Sequence, residues 1–397
     1  MLNKKIVVKN RQHSSKLGRV FSIIAVVAFL FGELQVNIAT NPNLTKETDW
    51  IPFASLLMQE QVDYTFTPFE ANDKCKFCDF TVRNKEYANS TPRDVLMAGS
   101  FGTVQNIVVF LKTLRTTGSK CSVVVIMDNK AYQSLNKETK EYVRNCGCQI
   151  INIGKLPIGD YPYATMSYFY YPMYFFLKKN KDKIDRVMKL DLFDAVFQGD
   201  PFNTQVNTTH LNIVDEGARF NEWTGDWVQK QFRKRYSPLN DEERKRIYVC
   251  GGYVAGGVDM VMYFIEELMK ETIYEAGVDD QTTYNYLFLR GSLVNYPRNE
   301  VRETEFVYHI ANTKLSNEPR DFGNIRTIRN QNAYASIVHQ YYFRRQFGLT
   351  LLKACPRESP QLVDYLAHCH VPCITKLEEC AKDPNCKYGD EWLEDFR

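Results

Sequence analysis

The sequence predicts an α/β domain, a mostly parallel sheet with helices on both faces, preceded by an N-terminal membrane anchor and followed by a small cysteine-rich C-terminal tail. Short Val- and Ile-rich runs alternate with amphipathic ones between residues 94 and 193. A basic leader and an apolar run open the chain, and Cys355, Cys369, Cys373, Cys380 and Cys386 crowd its end. With 397 residues and 44% apolar content, the chain is long enough for one large domain with appendages or for two modest domains.

Lys4, Lys5, Lys9, Arg11, Lys16 and Arg19 supply six positive charges in residues 1–19, with no acid among them. Taking those six from the formal charge of +3 leaves the body three charges on the acidic side. Such a body lacks the clustered Lys and Arg of a nucleic-acid binder, and the dense block 233–246 interleaves acids with its bases, as a solvated helix face does. The thirteen uncharged residues 20–32 fit a cleavable signal, but the leader is long for one and no A-x-A cleavage site follows. Extended to Ala39, the segment reaches the length of an anchor, provided Glu33 snorkels to the membrane surface. The basic flank then stays cytosolic and the body is lumenal, which places the protein in the Golgi or endoplasmic reticulum membrane.

Residues 40–91 read as a lumenal stem with the pair Cys75 and Cys78, and sequons start at Asn43, Asn89 and Asn207. Eleven cysteines in a lumenal chain imply disulfides, with cross-links expected within 355–386. Zinc, with His368 and His370, is the rival there, but no paired CxxC spacing recurs. An odd count leaves at least one thiol without an intrachain partner, and Cys250 is the candidate.

Residues 92–347 carry the alternation. Strands are expected at 94–102, 121–129, 149–154 and 185–193, and helices at 103–118, 137–147 and 164–180. Pro172 predicts an irregularity in the last helix, whose aromatics, Phe175 among them, are expected in the core. No internal repeat is evident, and 348–397 is the cysteine-rich tail.

The strand at 185–193 runs into three aspartates, Asp191, Asp194 and Asp200. Positions i and i+3 of a regular strand face opposite ways, so the strand must stop between Asp191 and Asp194 if both are to serve one site. Turned at Leu192 and Phe193, they offer hard oxygens to Mg²⁺ or Mn²⁺, and the ion can grip a diphosphate. The plainer reading is that Asp194 and Asp200 cap turns. Asp200, before Pro201 and Phe202, suits a loop-fixing role through backbone hydrogen bonds.

The stretch "VMKLDLFDAVFQGDPF" resembles the metal-binding strand exit of nucleotide-diphospho-sugar transferases of the GT-A fold. The resemblance covers residues 92–347 and departs from the usual DxD, because Leu192 makes the motif DxxD. It implies metal ligands Asp194, Asp191 and His339 of "AYASIVHQYYF", with Mn²⁺ or Mg²⁺ as cofactor, and Asp191 alternatively on the nucleotide ribose. It also implies a glycine-rich turn with Gly251, Gly252 and Gly256 lining the donor pocket, and Gln281 of "GVDDQTTYNYLF" beside it, with Asp280 and Asn285 at matching positions. The glycines and the Asp-Gln pair also have plain explanations, packing for the first and helix capping by Asp279 or Asp280 for the second.

The function so implied is transfer of a hexose from a nucleotide-sugar donor to a lumenal glycan or glycoprotein. An inverting reaction needs a carboxylate base, for which Asp280 and Glu216 are the candidates. A dehalogenase-type phosphohydrolase is disfavoured, because "DLFDAV" lacks the second Asp at the required spacing. A membrane-anchored binding or adhesion protein with a degenerate transferase domain is the alternative.

Overall fold

In a computed structural model, the protein is described over residues 62–68, 72–156, 167–220, 226–272, 279–301, 306–309, 322–327, 333–341 and 345–356. The expected anchor at 20–39, the sequon at Asn43 and the tail with His368, His370 and the cysteines from Cys369 to Cys386 lie outside these residues. Among the described residues no helix is long and apolar enough to cross a membrane.

The chain alternates as its hydrophobic pattern requires. Strand β1 (Asp94–Ser100) leads to α1 (Ile107–Thr116), β2 (Ser122–Met127), α2 (Asn129–Ser134), α3 (Lys137–Asn145), β3 (Cys148–Asn152), α4 (Tyr170–Asn180) and β4 (Arg186–Leu190). All six residues of β2, SVVVIM, are buried, as expected of a strand covered on both faces. There follow β5 (Ala195–Phe197), β6 (Leu211–Arg219), α5 (Asp226–Arg235), α6 (Asp241–Arg244), β7 (Ile247–Gly257), α7 (Val258–Thr272), α8 (Asp280–Leu289), β8 (Arg298–Val301), β9 (Val307–His309), β10 (Ile337–His339) and α9 (Arg345–Ala354).

Seven strands form one mixed sheet in the order β3-β2-β1-β4-β7-β6-β8. Its pairings are parallel except at β7, which runs against both β4 and β6. A second sheet places β10 between β5, antiparallel to it, and β9, parallel to it. At the root of the large sheet Arg186 of β4 grips Asp94 of β1 through two hydrogen bonds of 2.7 Å, an ion pair buried at both ends.

Several expectations need correction. The glycine-rich stretch 251–257 is not a turn but the second half of β7, because its glycines let neighbouring backbone close in on both faces. The expected irregularity near Pro172 is present: residues 167–168 are helical, Phe169 is a turn, and α4 starts at Tyr170, so Pro172 falls in its first turn, where its missing N–H costs little. Phe175 is only half-buried, whereas Phe176 is fully enclosed and meets Phe66 edge-on. Cys355 pairs with Cys78, and Cys75 with Cys146, so the described bridges tie residues 72–79 to the body rather than closing loops within the tail. Cys121, Cys148 and Cys250 are free and buried. From Gln61 onward the chain forms one compact unit, and the described part of the expected stem shares its core through Cys75 and Cys78.

Candidate metal centre

The site is assembled where β4 ends. The strand stops at Leu190, one residue before Asp191, and Asp191 to Asp194 form a bend before β5. Asn106 at the N-cap of α1 holds that bend: its Nδ2 donates to the carbonyls of Leu192 at 2.8 Å and Ala195 at 3.0 Å. Asn106 adopts φ 64°, a left-handed conformation that Asn tolerates better than most residues. Tyr341 donates its hydroxyl to Asn106 Oδ1, linking the bend to the chain just past β10.

β10 and β9 run in register, so His339 stands beside His309, and the antiparallel pairing with β5 sets His339 against Ala195. The imidazole of His339 reaches the bend. Its Nε2 lies 3.2 Å from Asp194 Oδ1 and 3.7 Å from Asp191 Oδ2. It has a well-aligned hydrogen bond with neither. The three expected ligands are thus brought together, with one donor atom from each within 4.8 Å of the others.

Gly252 of β7 forms the floor. A Cβ there would stand 2.7 Å from Asp191 Oδ2 and 2.7 Å from His339 Cε1, so any larger residue would collide with the cluster. Gly251 and Gly256 do other work: the first packs on Gln281 at the start of α8 and the second on the carbonyl of His210. Protein rather than open space would meet a Cβ at either position, which accounts for both glycines by packing.

Lys189, the last but one residue of β4, joins the carboxylates. Its Nζ donates to Asp191 Oδ1 at 2.9 Å and to the Gly251 carbonyl at 2.8 Å, and it stands 3.7 Å from Asp280 Oδ2. Tyr170 donates to Asp280 at 2.8 Å. Glu216 of β6 accepts from Gln281 Nε2 at 3.0 Å. Asp280, Gln281 and Glu216 are all buried, so the structure places the two candidate bases and the candidate donor contact inside the network rather than on its open side. That side is Asp191, whose side chain is 30% exposed against 3% for Asp194. Asn285 binds the backbone of Val249 through both its amide nitrogen and oxygen, which locks α8 onto β7. Asp279, not Asp280, caps α8, accepting from the Thr282 N–H at 2.7 Å.

The charges are interdependent. Burial alone would lower the pKa of His339, but Asp194, Cys250 and Asp191 outweigh it and hold the ring well above its ordinary value. Burial opposes the charge of Asp191 too, yet Lys189 and His339 pull its carboxyl below the usual range. Glu216 and Asp280 are raised, chiefly by burial. A group of acids that holds a proton on the imidazole between them is equally suited to hold a cation there.

Residues beyond the sequence reading complete the arrangement. His309 meets His339 Nδ1 through its own Nδ1 at 2.9 Å, and with Cys250 the two rings form a second close set of three ligand atoms. Lys189 and Asn106 carried no motif. His309 ends an apolar run, FVYH, as His339 ends SIVH, and that parallel was the only signal available. No family model matches the chain, and no curated protein sequence matches it.

Proposed function

We propose that the chain is a metal-dependent glycosyltransferase of the GT-A type, moving a hexose from a nucleotide-sugar donor to a glycan or glycoprotein. The observation that carries this reading is the convergence of Asp191, Asp194 and His339 at the carboxyl end of β4, where open α/β sheets bind ligands. Two carboxylates and an imidazole whose Nε2 lacks an aligned protein partner fit a divalent cation, and the nitrogen favours Mn²⁺ over Mg²⁺. When bound, the metal would neutralise the departing diphosphate.

The chain's own residues do the rest. Asp191 turns Oδ1 to Lys189 and Oδ2 to the site, on the face through which a donor enters. The bend held by Asn106 fixes the separation of the two carboxylates. Asp280, joined to Asp191 through Lys189, is our first candidate for a base in an inverting reaction, and Glu216 the second. In this reading the body is lumenal in the Golgi or endoplasmic reticulum, held by an anchor at 20–39, and exposed Asn89 is open to glycosylation.

The test is donor hydrolysis across a panel of nucleotide sugars by the purified protein, with and without Mn²⁺. Metal-stimulated release of one sugar, lost in Asp194→Ala, is the expected result. No hydrolysis of any donor would leave the binding-protein alternative. Digestion of the body in sealed microsomes without detergent would overturn the topology.

A further inference from the structure

The second ring nitrogen of His339 points to a role for His309, on the premise of the proposed function that His339 Nε2 is a metal ligand. Both rings are buried, at 2% and 0% exposure, on adjacent parallel strands, and their Nδ1 atoms are 2.9 Å apart. Two imidazole nitrogens at that distance need one N–H and one lone pair between them. A cation on Nε2 of a neutral His339 uses that nitrogen's lone pair and leaves the ring proton on Nδ1. The proton then faces His309 Nδ1, which must accept it and so carries its own proton on Nε2. We propose that His309 is a positioning residue of the metal centre: its Nδ1 lone pair accepts from His339 Nδ1–H and fixes the tautomer and orientation that present Nε2 to Asp191 and Asp194.

The competing idea is that His309, His339 and Cys250 together hold a thiophilic ion such as Zn²⁺. The spacing argues against it. Nitrogens bound to one tetrahedral ion at about 2.0–2.1 Å stand roughly 3.3 Å apart, whereas 2.9 Å is a hydrogen-bond separation. Cys250 Sγ, 3.8 Å from His339 Nδ1, is engaged by the Gly252 N–H at 3.3 Å. Metal-bound histidines commonly donate their second N–H to an outer acceptor, and here an imidazole fills that position.

Mn²⁺ affinity of the full chain, read from the free-ion resonance during titration, tests this without turnover. His309→Leu keeps bulk and removes the acceptor, and should weaken binding roughly 10–100-fold. His309→Asn sets an oxygen where Nδ1 stood and should restore most of the loss, a recovery that packing alone would not give. Wild-type affinity in His309→Leu would overturn the proposal while leaving the metal reading intact. Failure of the wild-type protein to bind Mn²⁺, or full binding by Asp194→Ala, would overturn both. If His309→Leu does not fold, the nitrogen spectrum of histidine-labelled wild-type protein with Mg²⁺ decides. With the two rings assigned, His339 protonated on Nδ1 and His309 on Nε2 supports the proposal, and the reverse arrangement, or neither ring protonated on Nδ1, overturns it. Tight Cd²⁺ binding abolished by Cys250→Ser would assign the rings to a thiophilic site and overturn it as well.

Discussion

Asp194 and Asp200 lie six residues apart in one segment, equally buried at 2% and 3%, and they meet different neighbours. Asp200 is met by donors: the N–H groups of Asn89, Ser90 and Phe202 and the hydroxyl of Ser119, at 2.9 to 3.2 Å. Asp194 is turned toward an imidazole nitrogen and a second carboxylate. Burial does not separate a structural aspartate from a site aspartate; the identity of the neighbours does. A carboxylate satisfied by backbone holds the chain, and one gathered with other ligand atoms raises the local negative charge until a cation or proton offsets it.

The sharpest break of that comparison is a pair of alanines. Asp194→Ala should weaken Mn²⁺ binding by more than the roughly 10–100-fold that loss of an outer partner costs, with the melting temperature nearly kept. Asp200→Ala should do the reverse. Stranding the buried Phe202 N–H, the half-buried N–H groups of Asn89 and Ser90 and the Ser119 hydroxyl, at about 1–3 kcal/mol for each that finds no water, should cost about 3–5 kcal/mol of stability and leave the affinity of the folded fraction unchanged. Metal titration and urea unfolding on both variants check this. Identical behaviour of the two would remove the distinction.

The disulfides extend the contrast to larger regions. Cys78–Cys355 spans 277 residues and Cys75–Cys146 spans 71, and a cross-link over about 100 residues is worth nearly 5 kcal/mol in the chain-entropy picture. Reductant should therefore destabilise the whole unit, followed by a fall in its unfolding midpoint. Loss confined to residues after 356, seen by limited proteolysis, would count against it and favour the cross-links expected within 355–386. Within α4, Phe176→Ala should cost about 3–5 kcal/mol, while half-exposed Phe175 should cost far less.

What the sequence revealed follows from what is local. The β/α alternation to β4, the bend after it and the loop-fixing character of Asp200 are all written in neighbouring residues, where periodicity and turn chemistry act. The antiparallel run of β7 and the small sheet of β5, β10 and β9 depend on pairing across as many as 144 residues, from Ala195 to His339, which no local pattern encodes. The same reason hid His309, Lys189 and Asn106, whose roles exist only once β9, β4 and α1 converge. GGYVAGG misled because glycine serves turns and tightly packed strands alike, and only the neighbours at 2.7–2.9 Å of Gly251, Gly252 and Gly256 distinguish them.

The smallest effect separates two adjacent acids, Asp279 and Asp280, at the start of α8. Burial pushes the Asp279 carboxyl up to about 6, against the pull of its hydrogen bonds from Thr282. A carboxyl raised on folding binds its proton more tightly in the folded state, so its contribution is full below the unfolded value near 3.9 and is lost as pH rises to about 6. Two units correspond to at most about 3 kcal/mol. Asp279→Asn keeps an oxygen to cap Thr282 and removes the titration. Relative to wild type, the variant should gain stability progressively from pH 4 to 6 and hold a constant advantage above that, measured by urea unfolding at each pH. Its Mn²⁺ affinity should not move, since Asp280, not Asp279, meets Lys189 and through it Asp191. A flat difference across pH 4–7 would mean that Asp279 is ionised throughout in the folded chain and that its cap outweighs its burial.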